Sequence, residues 1–540
     1  MEIVDVEQMR RIEAASDAAG HSYAAMMELA GRGVAQAIIA RRPVHGRRVL
    51  VLVGPGNNGG DGLVAARLLA QAGADVVCYL LKPRDPLEDV NFRLVQSLGL
   101  AVALAPEDED LQRLLAEAQR AHIVVDALLG TGTRLPVRGV VADVLGQLRA
   151  GLALGKRQRC DGLVWLAGTA SAEPQGAPLI VAVDGPTGLD FDSGALDPSA
   201  LPADLTVTFA YPKVGHFRFP GAGALGELVV VDIGTDPSLA AGIEPHVATG
   251  EMVRHLLPPR LPSAHKGTFG KALIVAGSQR YTGAAYLAGA AATRAGAGLV
   301  TLAVPSCIHT PVASRLAEAT YLPLPHEDGA IAVSAANVVT QALGDYDALL
   351  VGPGLGRPAG VVAFVRELLA RCADRADRPF ALVVDADGLN ILAELADWPQ
   401  RLPPGSILTP HPGEMARLMA SELGSVQRDR LAAARTQAAA WGHVVVLKGA
   451  YTVVAAPDGR VVIQPFASAA LATAGTGDVL AGTIVALKAQ GLSPFDAAVA
   501  GSYLHGVAGV QAGVDQGEAG TVASDLIDRL PSAWRRISNG

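Results

Sequence analysis

The chain has 540 residues, half of them hydrophobic, and a formal net charge of −8 from 44 Lys and Arg against 52 Asp and Glu. At roughly 150 residues per domain, this length predicts two to four domains with substantial cores. The acidic balance and the lack of a basic run exclude a typical nucleic-acid-binding surface.

The first block of the chain alternates apolar strands with helices. Two helices with apolar spacing come first, around Met9 and Met26. Strands this apolar, separated by helices, indicate a mostly parallel sheet covered on both faces, which is a Rossmann-like doubly wound α/β fold. The predicted strands are residues 48–54, 75–81, 123–127, 179–183, 204–209 and 227–233, and the predicted helices are residues 61–73, 88–98 and 110–120.

A second α/β block follows after an interruption and a boundary. Residues 151–177 predict a long surface insertion, which is unusual inside a compact domain. A stretch rich in Gly and Pro after Ile233 predicts the domain boundary. The predicted strands of the second block are residues 272–276, 299–304, 348–351, 381–384 and 444–447, and its helices are residues 282–295, 361–371, 413–418, 429–440, 477–488 and 493–513.

A glycine-rich loop, residues 54–62, follows the first strand. Gly54, Gly56 and Gly59 satisfy GxGxxG, a weak signal for a dinucleotide site. The next strand ends in Leu81 and Lys82 without the carboxylate that a dehydrogenase usually carries there. Backbone N–H groups of this loop are suited to an anion, and its amides and carboxylate to a cation or ribose hydroxyls.

Two more polar clusters end strands of the same predicted sheet. Asp126 ends one strand, and Asp184 and Thr187 follow another. Ligands of doubly wound sheets bind at the carboxyl ends of strands, so these side chains are expected to converge with Asn58. Either Asp alone could be a turn residue, but oxygen ligands of low formal charge favour a hard cation over zinc.

Together with the segment from Tyr211 to Gly215, these motifs resemble the NAD(P)H-hydrate epimerase family over residues 1–235. The resemblance implies a K⁺ ion bound by Asn58, Asp126 and Thr187. Thr187 stands where the family usually has Ser, and it keeps the hydroxyl. The resemblance also implies that the hydrated nicotinamide nucleotide contacts Asp184 and two loops, namely Asn57, Asn58, Gly59, Gly60, Asp61, Gly130, Thr131, Gly132, Thr133, Arg134, Leu135 and Pro136.

Epimerisation of such a hydrate requires proton transfer at the ring hydroxyl. The ring nitrogen can expel hydroxide and leave an electrophilic centre to which water adds again. A carboxylate must assist this proton transfer. We predict that Asp184 is that carboxylate and that Asp126 is tied to the cation.

The second block carries a Gly-Thr-Gly-Asp turn, residues 475–478, that opens an apolar helix. Its N–H groups and the positive end of the helix dipole favour an anion. Asp478 is predicted to stay ionised there and to take a hydroxyl proton, as a kinase-type base does, although a plain helix cap is the alternative. Glu414, in the first turn of a helix, is predicted to be a cap or an outer carboxylate for magnesium.

These motifs, with Lys448, Asp385, Asp387 and His411 at other strand ends, resemble the NAD(P)H-hydrate dehydratase family of the ribokinase-like fold. The resemblance covers about residues 250–535 and implies ADP as co-substrate, with ATP possible, and Mg²⁺ as the phosphate partner. It implies a phosphorylated ring hydroxyl from which phosphate leaves. The implied hydrate contacts are Ala272, Gly356, His411 and Asp478, and the implied nucleotide contacts are Lys448, Gly449, Ala450, Tyr451, Thr452 and Gly477.

Two alternatives stay open from the sequence. The first block could be a dehydrogenase module or a non-catalytic nucleotide-binding module. The second could be a ribokinase-like kinase for a vitamin precursor, which shares the Gly-Thr-Gly-Asp turn. The fusion favours an epimerase, residues 1–235, joined by a linker, residues 236–250, to a dehydratase, residues 251–540, because the first supplies the substrate of the second.

Compartment and partners follow from what the sequence lacks. The charged start has no signal-peptide core, and no stretch of about 18 residues is both uncharged and strongly apolar. The cysteines, Cys78, Cys160, Cys307 and Cys372, form no CxxC pair and predict reduced thiols. We therefore expect a soluble cytoplasmic enzyme with small-molecule substrates, no nucleic-acid or membrane partner, and a homo-oligomeric state.

Overall fold

The computed structural model describes residues 1–152, 177–373 and 381–539. The predicted insertion at residues 151–177 lies almost wholly outside this part of the chain, as does Cys160. The chain divides into two compact units, residues 2–244 and residues 245–540 together with Met1. Within the described ranges, no helix is long and apolar enough to cross a membrane.

The first unit begins with two helices and then alternates strands and helices. Asp5 caps the first helix in a capping box with Gln8, and Ser22 caps the second. Its helices and strands are α1 Val6–Ala18, α2 Tyr23–Ile39, β1 Arg48–Val53, α3 Asn57–Gln71, β2 Asp75–Leu80, α4 Val90–Ser97, β3 Ala101–Leu104, α5 Gln112–Arg120, β4 Ile123–Ala127, α6 Val140–Gly151, β5 Leu179–Val183, β6 Leu205–Phe209 and β7 Glu227–Val231.

The seven strands of this unit form one parallel sheet in the order β3-β2-β1-β4-β5-β6-β7. Side chains alternate between the two faces, so Val49 and Val51 pack in one buried cluster while Leu50 and Leu52 pack in the other. The strand order reverses between β1 and β4, where a doubly wound sheet opens a crevice at its carboxyl edge.

The second unit has a larger sheet and more helices. Its elements are β8 His246–Val247, α7 Gly250–Leu256, β9 Lys271–Val275, α8 Thr282–Arg294, β10 Leu299–Pro305, α9 Ser306–Ala313, β11 Thr320–Leu324, β12 His326–Glu327, β13 Ala330–Ile331, α10 Ala335–Ala342, β14 Ala348–Val351, α11 Ala359–Ala373, β15 Ala381–Val384, α12 Asp387–Leu392, β16 Ile407–Leu408, α13 Pro412–Leu418, α14 Leu423–Arg428, α15 Arg430–Trp441, β17 Val444–Leu447, β18 Val453–Ala455, β19 Val461–Ile463, α16 Thr476–Ala489, α17 Pro494–Gln516 and α18 Ala523–Asn539.

Ten strands of this unit form a mixed sheet in the order β11-β10-β9-β14-β15-β16-β17-β18-β19-β8. The run from β11 to β17 is parallel, and β18 pairs antiparallel with both β17 and β19. One face is covered by α8 and α16, and α16 is buried on nearly all sides from Val479 to Leu487. The predicted α/β fold class is confirmed in both units.

The start of α3 differs from the sequence prediction. The helix begins at Asn57, whereas the glycines before Asp61 predicted a loop because Gly is a poor helix former. Packing explains the difference. A Cβ atom at Gly60 would lie 2.6 Å from Met27 Sδ, and one at Gly62 would lie 2.6 Å from Ala127 Cβ. The glycines therefore allow the helix to start close against its neighbours.

Gly31 in α2 generates a stability prediction, because a Cβ atom there would lie 2.4 Å from Val64 Cβ in α3. We expect Gly31→Ala to lower the free energy of unfolding by about 1–3 kcal/mol, as overpacking does. Gly146 is the matched control, since it is exposed in α6 with no atom within 4 Å of an added Cβ. Gly146→Ala should raise the free energy of unfolding by about 0.5–1 kcal/mol in denaturant titrations. Equal effects of both substitutions would contradict the packing account.

Candidate active sites of the two units

In the first unit, an arginine holds the turn between β1 and α3. Gly54 passes so close to β4 that an added Cβ would lie 1.7 Å from the carbonyl oxygen of Leu128. Arg84, just beyond β2, donates to the carbonyl oxygens of Gly54 at 2.6 Å and Gly56 at 2.9 Å, and also pairs with Asp89. The carbonyl groups are thus directed toward Arg84, which leaves the N–H groups at the start of α3 for a ligand. The sequence prediction missed Arg84.

Three oxygen-bearing residues meet at the carboxyl ends of β1, β4 and β5. Asp126 is 1 % exposed and accepts from Thr187 N at 2.8 Å and from Thr187 Oγ1 at 2.7 Å. Thr187 Oγ1 also accepts from Leu129 N at 3.1 Å. The Asn58 side chain lies against Gly130, and its buried Nδ2 has no hydrogen-bond partner within the described residues. Burial raises the pKa of Asp126 despite these hydrogen bonds.

Asp184 directly follows β5 and adopts the left-handed region, with a φ of 64°. Its Oδ1 accepts from Lys213 Nζ at 2.7 Å and from Thr208 Oγ1 at 2.7 Å. Lys213 is 1 % exposed and also donates to the carbonyl oxygen of Phe209 at 3.2 Å. Burial by itself raises the pKa of Asp184, but the ammonium group of Lys213 and the hydrogen bonds hold it below its usual value. Asp184 therefore stays ionised.

Asp61, in the same site, has a pKa that is shifted in the opposite direction. It lies in α3, is 8 % exposed and has no side-chain hydrogen bond to any described residue. Burial raises its pKa well above the usual value, and the negative charges of Asp184 and Glu13 raise it further. The pKa values of these two carboxyl groups are thus shifted in opposite directions, the pattern expected of an acid and a base.

The loop after β4 is more open. Thr133 Oγ1 and N both donate to the carbonyl oxygen of Gly130, at 2.8 and 3.0 Å, and close a turn. Gly132, Arg134 and Pro136 are exposed, while Thr131, Thr133 and Leu135 are partly buried. The loop follows the strand that carries Asp126, so it borders the same edge of the sheet. Lys213 belongs to the motif from Tyr211 to Gly215, but nothing in the sequence indicated its ion pair with Asp184.

In the second unit, a cavity of about 450 Å³ opens at the start of α16. Most of its surface is apolar, with contributions from Phe466, Leu471 and Leu480. Six of the residues predicted from the sequence line it, which are His411, Lys448, Gly449, Ala450, Thr452 and Gly477. Tyr451, the remaining member of the predicted nucleotide loop, has a φ of 53° and donates its N–H to the carbonyl oxygen of Phe466 at 2.8 Å.

A largely buried lysine joins two carboxylates beside this cavity. Lys448 Nζ lies 2.6 Å from Asp385 Oδ1 and 3.7 Å from Glu414 Oε2. Glu414 Oε2 accepts from His411 N at 2.8 Å, so the predicted cap is present and His411 is held at the start of α13. Burial raises the pKa of Glu414 to about 7, although Lys448 opposes the shift.

The pKa of Asp478 differs from the sequence prediction. Asp478 lies in the first turn of α16 as predicted, but it is not held ionised by the turn. Burial raises its pKa to about 7, and the negative charge of Asp385 adds to the rise. The dipole of the helix is outweighed because several carboxylates share one poorly solvated region. Asp478 is therefore poised to exchange a proton near neutral pH.

The structure separates Ala272 from the other predicted hydrate contacts. Gly356 N donates to Asp387 Oδ2 at 2.8 Å, so Gly356 lies at the carboxyl end of the sheet. Ala272 instead is fully buried near the start of β9 and pairs with Val300 and Ala348. The hydrophobic core surrounds its side chain on a strand whose carboxyl end carries the site, and its contact with the hydrate stays a prediction.

Comparison with known proteins covers both units. The family described as NAD(P)H-hydrate dehydratase matches residues 272–532, and the family described as YjeF-related protein N-terminus matches residues 23–215. A bifunctional NAD(P)H-hydrate repair enzyme of Moorella thermoacetica is 40% identical to this chain, and the alignment covers 95% of this chain and 92% of that enzyme. The protein of the same description from Salinibacter ruber is 42% identical, with 95% and 93% covered.

Among solved structures, the second unit is similar to the ADP/ATP-dependent NAD(P)H-hydrate dehydratase from Bacillus subtilis co-crystallized with ATP and Mg²⁺. That protein is 34% identical, and the alignment covers 54% of this chain and 98% of the B. subtilis chain, with a TM-score of 0.47. The full-length relatives confirm the predicted fusion over a vitamin-precursor kinase with a binding module. With both family segments in one chain and relatives aligned along nearly all of it, the protein belongs to the family of bifunctional NAD(P)H-hydrate repair enzymes.

Proposed function

We propose that the first unit interconverts the R and S hydrates of NADH and NADPH, and that the second unit returns the S hydrate to the reduced nucleotide with ADP. ATP is the other candidate co-substrate. We assign residues 1–235 to the epimerase, residues 236–250 to a linker and residues 251–540 to the dehydratase. The observation that carries this proposal is the buried ion pair of Lys213 with Asp184 beside a second buried carboxyl group, Asp61, whose pKa is shifted in the opposite direction, in a chain whose relatives are repair enzymes.

In the epimerase, the two carboxyl groups serve opposite proton transfers. The ring nitrogen of the hydrate expels hydroxide, and Asp61 gives this leaving group its proton. Asp184 accepts a proton from the water that adds to the resulting planar centre. Lys213 holds Asp184 ionised and oriented. Asn57–Asp61 and residues 130–136 bind the nucleotide around this centre, since both segments border the same edge of the sheet.

A K⁺ ion suits Asn58, Asp126 and Thr187. The side-chain oxygen of Asn58, the buried Asp126 carboxylate and the free lone pair of Thr187 Oγ1 supply neutral and anionic oxygens of the kind that hard cations bind. When bound, the ion supplies positive charge that offsets the burial of Asp126. Its role is to secure the loops that carry the substrate contacts.

In the dehydratase, Asp478 accepts the proton of the ring hydroxyl as the hydroxyl oxygen attacks the terminal phosphorus of ADP. The new O–P bond forms as the bond to AMP breaks. Phosphate then leaves with the C–O electron pair, and loss of a proton from the neighbouring ring carbon restores the double bond. A pKa near 7 suits Asp478 to this task, because a general base works best near the operating pH.

The nucleotide contacts proposed for this step are Lys448, Gly449, Ala450, Tyr451, Thr452 and Gly477, with Gly356 and His411 on the hydrate side. Lys448 pairs closely with Asp385 at 2.6 Å and only loosely with Glu414 at 3.7 Å, so Glu414 is the oxygen donor that we propose to support Mg²⁺ from outside its phosphate ligands. Mg²⁺, when bound, neutralises charge on the transferred phosphate. The cytoplasmic location and the homo-oligomeric state stay predictions.

The central test uses a mixture of R and S NADPH hydrates with ADP, Mg²⁺ and K⁺, followed by the absorbance of reduced nicotinamide. The wild-type chain should recover both isomers. Asp184→Asn should recover the S isomer at an unchanged rate and epimerise the R isomer at least about 100-fold more slowly, the usual contribution of acid–base catalysis. Asp143→Asn, an exposed change in α6, is the control and should behave as wild type. Full epimerisation by Asp184→Asn would refute its role, and no recovery with ADP or ATP would refute the dehydratase.

The K⁺ site is tested at Thr187, where Val has nearly the same shape and lacks the hydroxyl. We expect Thr187→Val to raise the K⁺ concentration for half-maximal epimerisation at least about tenfold, equivalent to about 1.4 kcal/mol. Thr187→Ser restores the hydroxyl and should keep the wild-type K⁺ dependence. S-hydrate dehydration in the same samples should stay unchanged. An identical K⁺ dependence in all three proteins would remove Thr187 from the site.

The pKa of Asp478 sets a pH prediction. A general base must be deprotonated, so kcat/KM for the S hydrate should fall about tenfold per pH unit below about pH 7 and level off above it. Asp478→Asn should lose the activity at every pH. The epimerase base Asp184 has a lowered pKa, so its deprotonation imposes no such fall on the first unit. A dehydratase profile that is flat from about pH 6 to 8 would exclude Asp478 as the base.

A further inference from the structure

In the segment at the end of β17, residues 447–452, a single, largely buried arginine donates hydrogen bonds to several backbone carbonyl groups. Arg430 Nη2, at the start of α15, donates to the carbonyl oxygens of Leu447 at 3.0 Å and Lys448 at 3.1 Å. Its Nη1 donates to the carbonyl oxygen of Ala450. One guanidinium group therefore joins three carbonyl groups of the loop that lines the cavity of the second unit.

The fourth carbonyl of this run is also occupied, while its amides are not. Thr452 Oγ1 donates to the carbonyl oxygen of Gly449 at 2.9 Å. Within the part of the chain that the structure describes, the N–H groups of Gly449 and Ala450 have no hydrogen-bond partner, and both residues line the cavity. Two adjacent unpaired N–H groups form a concavity suited to an anion.

The loop conformation depends on this arrangement. Gly449 has a φ of 137° and Tyr451 a φ of 53°, both in the region that non-glycine residues rarely adopt. A Cβ atom at Gly449 would lie 3.0 Å from Arg430 Nη2, so the guanidinium group packs directly on this turn. Arg430 thus holds peptide groups in an orientation that the loop would not keep alone.

The charge of Arg430 supports the same conclusion. The side chain is largely buried, pairs with no carboxylate among the described residues, and has a buried Nε without a partner. Burial lowers its pKa to about 10, so it is cationic at neutral pH. A buried cation surrounded by carbonyl dipoles rather than carboxylates leaves a positive potential at the loop, which favours a negatively charged ligand.

We propose that Arg430 is a positioning residue that directs the N–H groups of Gly449 and Ala450 toward the phosphate groups of the nucleotide. The inference rests on the proposed dehydratase function, because it takes the ligand of this cavity to be a nucleoside diphosphate. Arg430 touches no reacting atom, and it acts only through the backbone of the loop. Its removal should therefore weaken the binding of phosphates and leave the binding of the nucleoside unchanged.

The test compares the dissociation constants of ADP and adenosine by calorimetry on the full-length chain. Arg430→Gln should weaken ADP binding at least about tenfold, equivalent to about 1.4 kcal/mol, and change adenosine binding by less than about twofold. Arg430→Lys, which keeps the charge but reaches fewer carbonyl groups, should weaken ADP binding by an intermediate factor. Arg435→Gln, exposed on the same helix, is the matched control and should bind both ligands as wild type does.

The outcomes are distinguishable. An equal loss for ADP and adenosine, or no loss for ADP in either Arg430 variant, would overturn the positioning role. If Arg430→Gln does not fold, the ADP affinity of Arg430→Lys is the deciding measurement. A wild-type ADP affinity in Arg430→Lys would overturn the proposal. A wild-type chain that binds adenosine or another ligand but no ADP would refute the proposed function itself, before any variant is compared.

Discussion

The arrangement of each candidate active site depends on a largely buried lysine paired with a carboxylate at a strand end. In the first unit Lys213 bonds to Asp184 after β5, and in the second Lys448 bonds to Asp385 after β15. Neither charge of such a pair is well solvated. Removing one partner therefore leaves the other charge unpaired and lowers the free energy of unfolding by about 3–5 kcal/mol. The loops that carry these four residues are held in place by this constraint, and the remaining site residues are arranged around them.

The pairs also influence the pKa values of the neighbouring carboxyl groups. Lys213 lowers the pKa of Asp184, and the charge of Asp184 adds to the burial that raises the pKa of Asp61. In the second unit Lys448 pairs with Asp385, and the pKa of Asp478 and of Glu414 rises to about 7. Burial alone would raise every carboxyl pKa in these sites. In the first unit Lys213 makes the response unequal, because it holds the pKa of Asp184 down while the pKa of Asp61 stays raised.

Much of the architecture was predictable from the sequence, because hydrophobic periodicity and glycine position are local properties. The strands at 123–127, 179–183, 348–351, 381–384 and 444–447 have the predicted bounds. The polar clusters fall at the carboxyl ends of parallel strands, as the topology of such sheets requires. Very short strands such as β16, with two residues, carry too little periodicity to be predicted, and the amphipathic α18 was missed as well.

The residue types, the order of motifs and the family were thus determined by the sequence itself. The tertiary structure decided where α3 begins, which carboxyl groups are charged, and which arginines orient the glycine loops. Arg84 is at least 28 residues, and Arg430 at least 17 residues, away in sequence from the carbonyl groups that they bind. No local sequence pattern therefore predicts these contacts. Ala272 fits a motif in sequence but lies within the core. Solvation and long-range contacts exist only in the folded chain, and for that reason pKa values and loop orientation emerge only there.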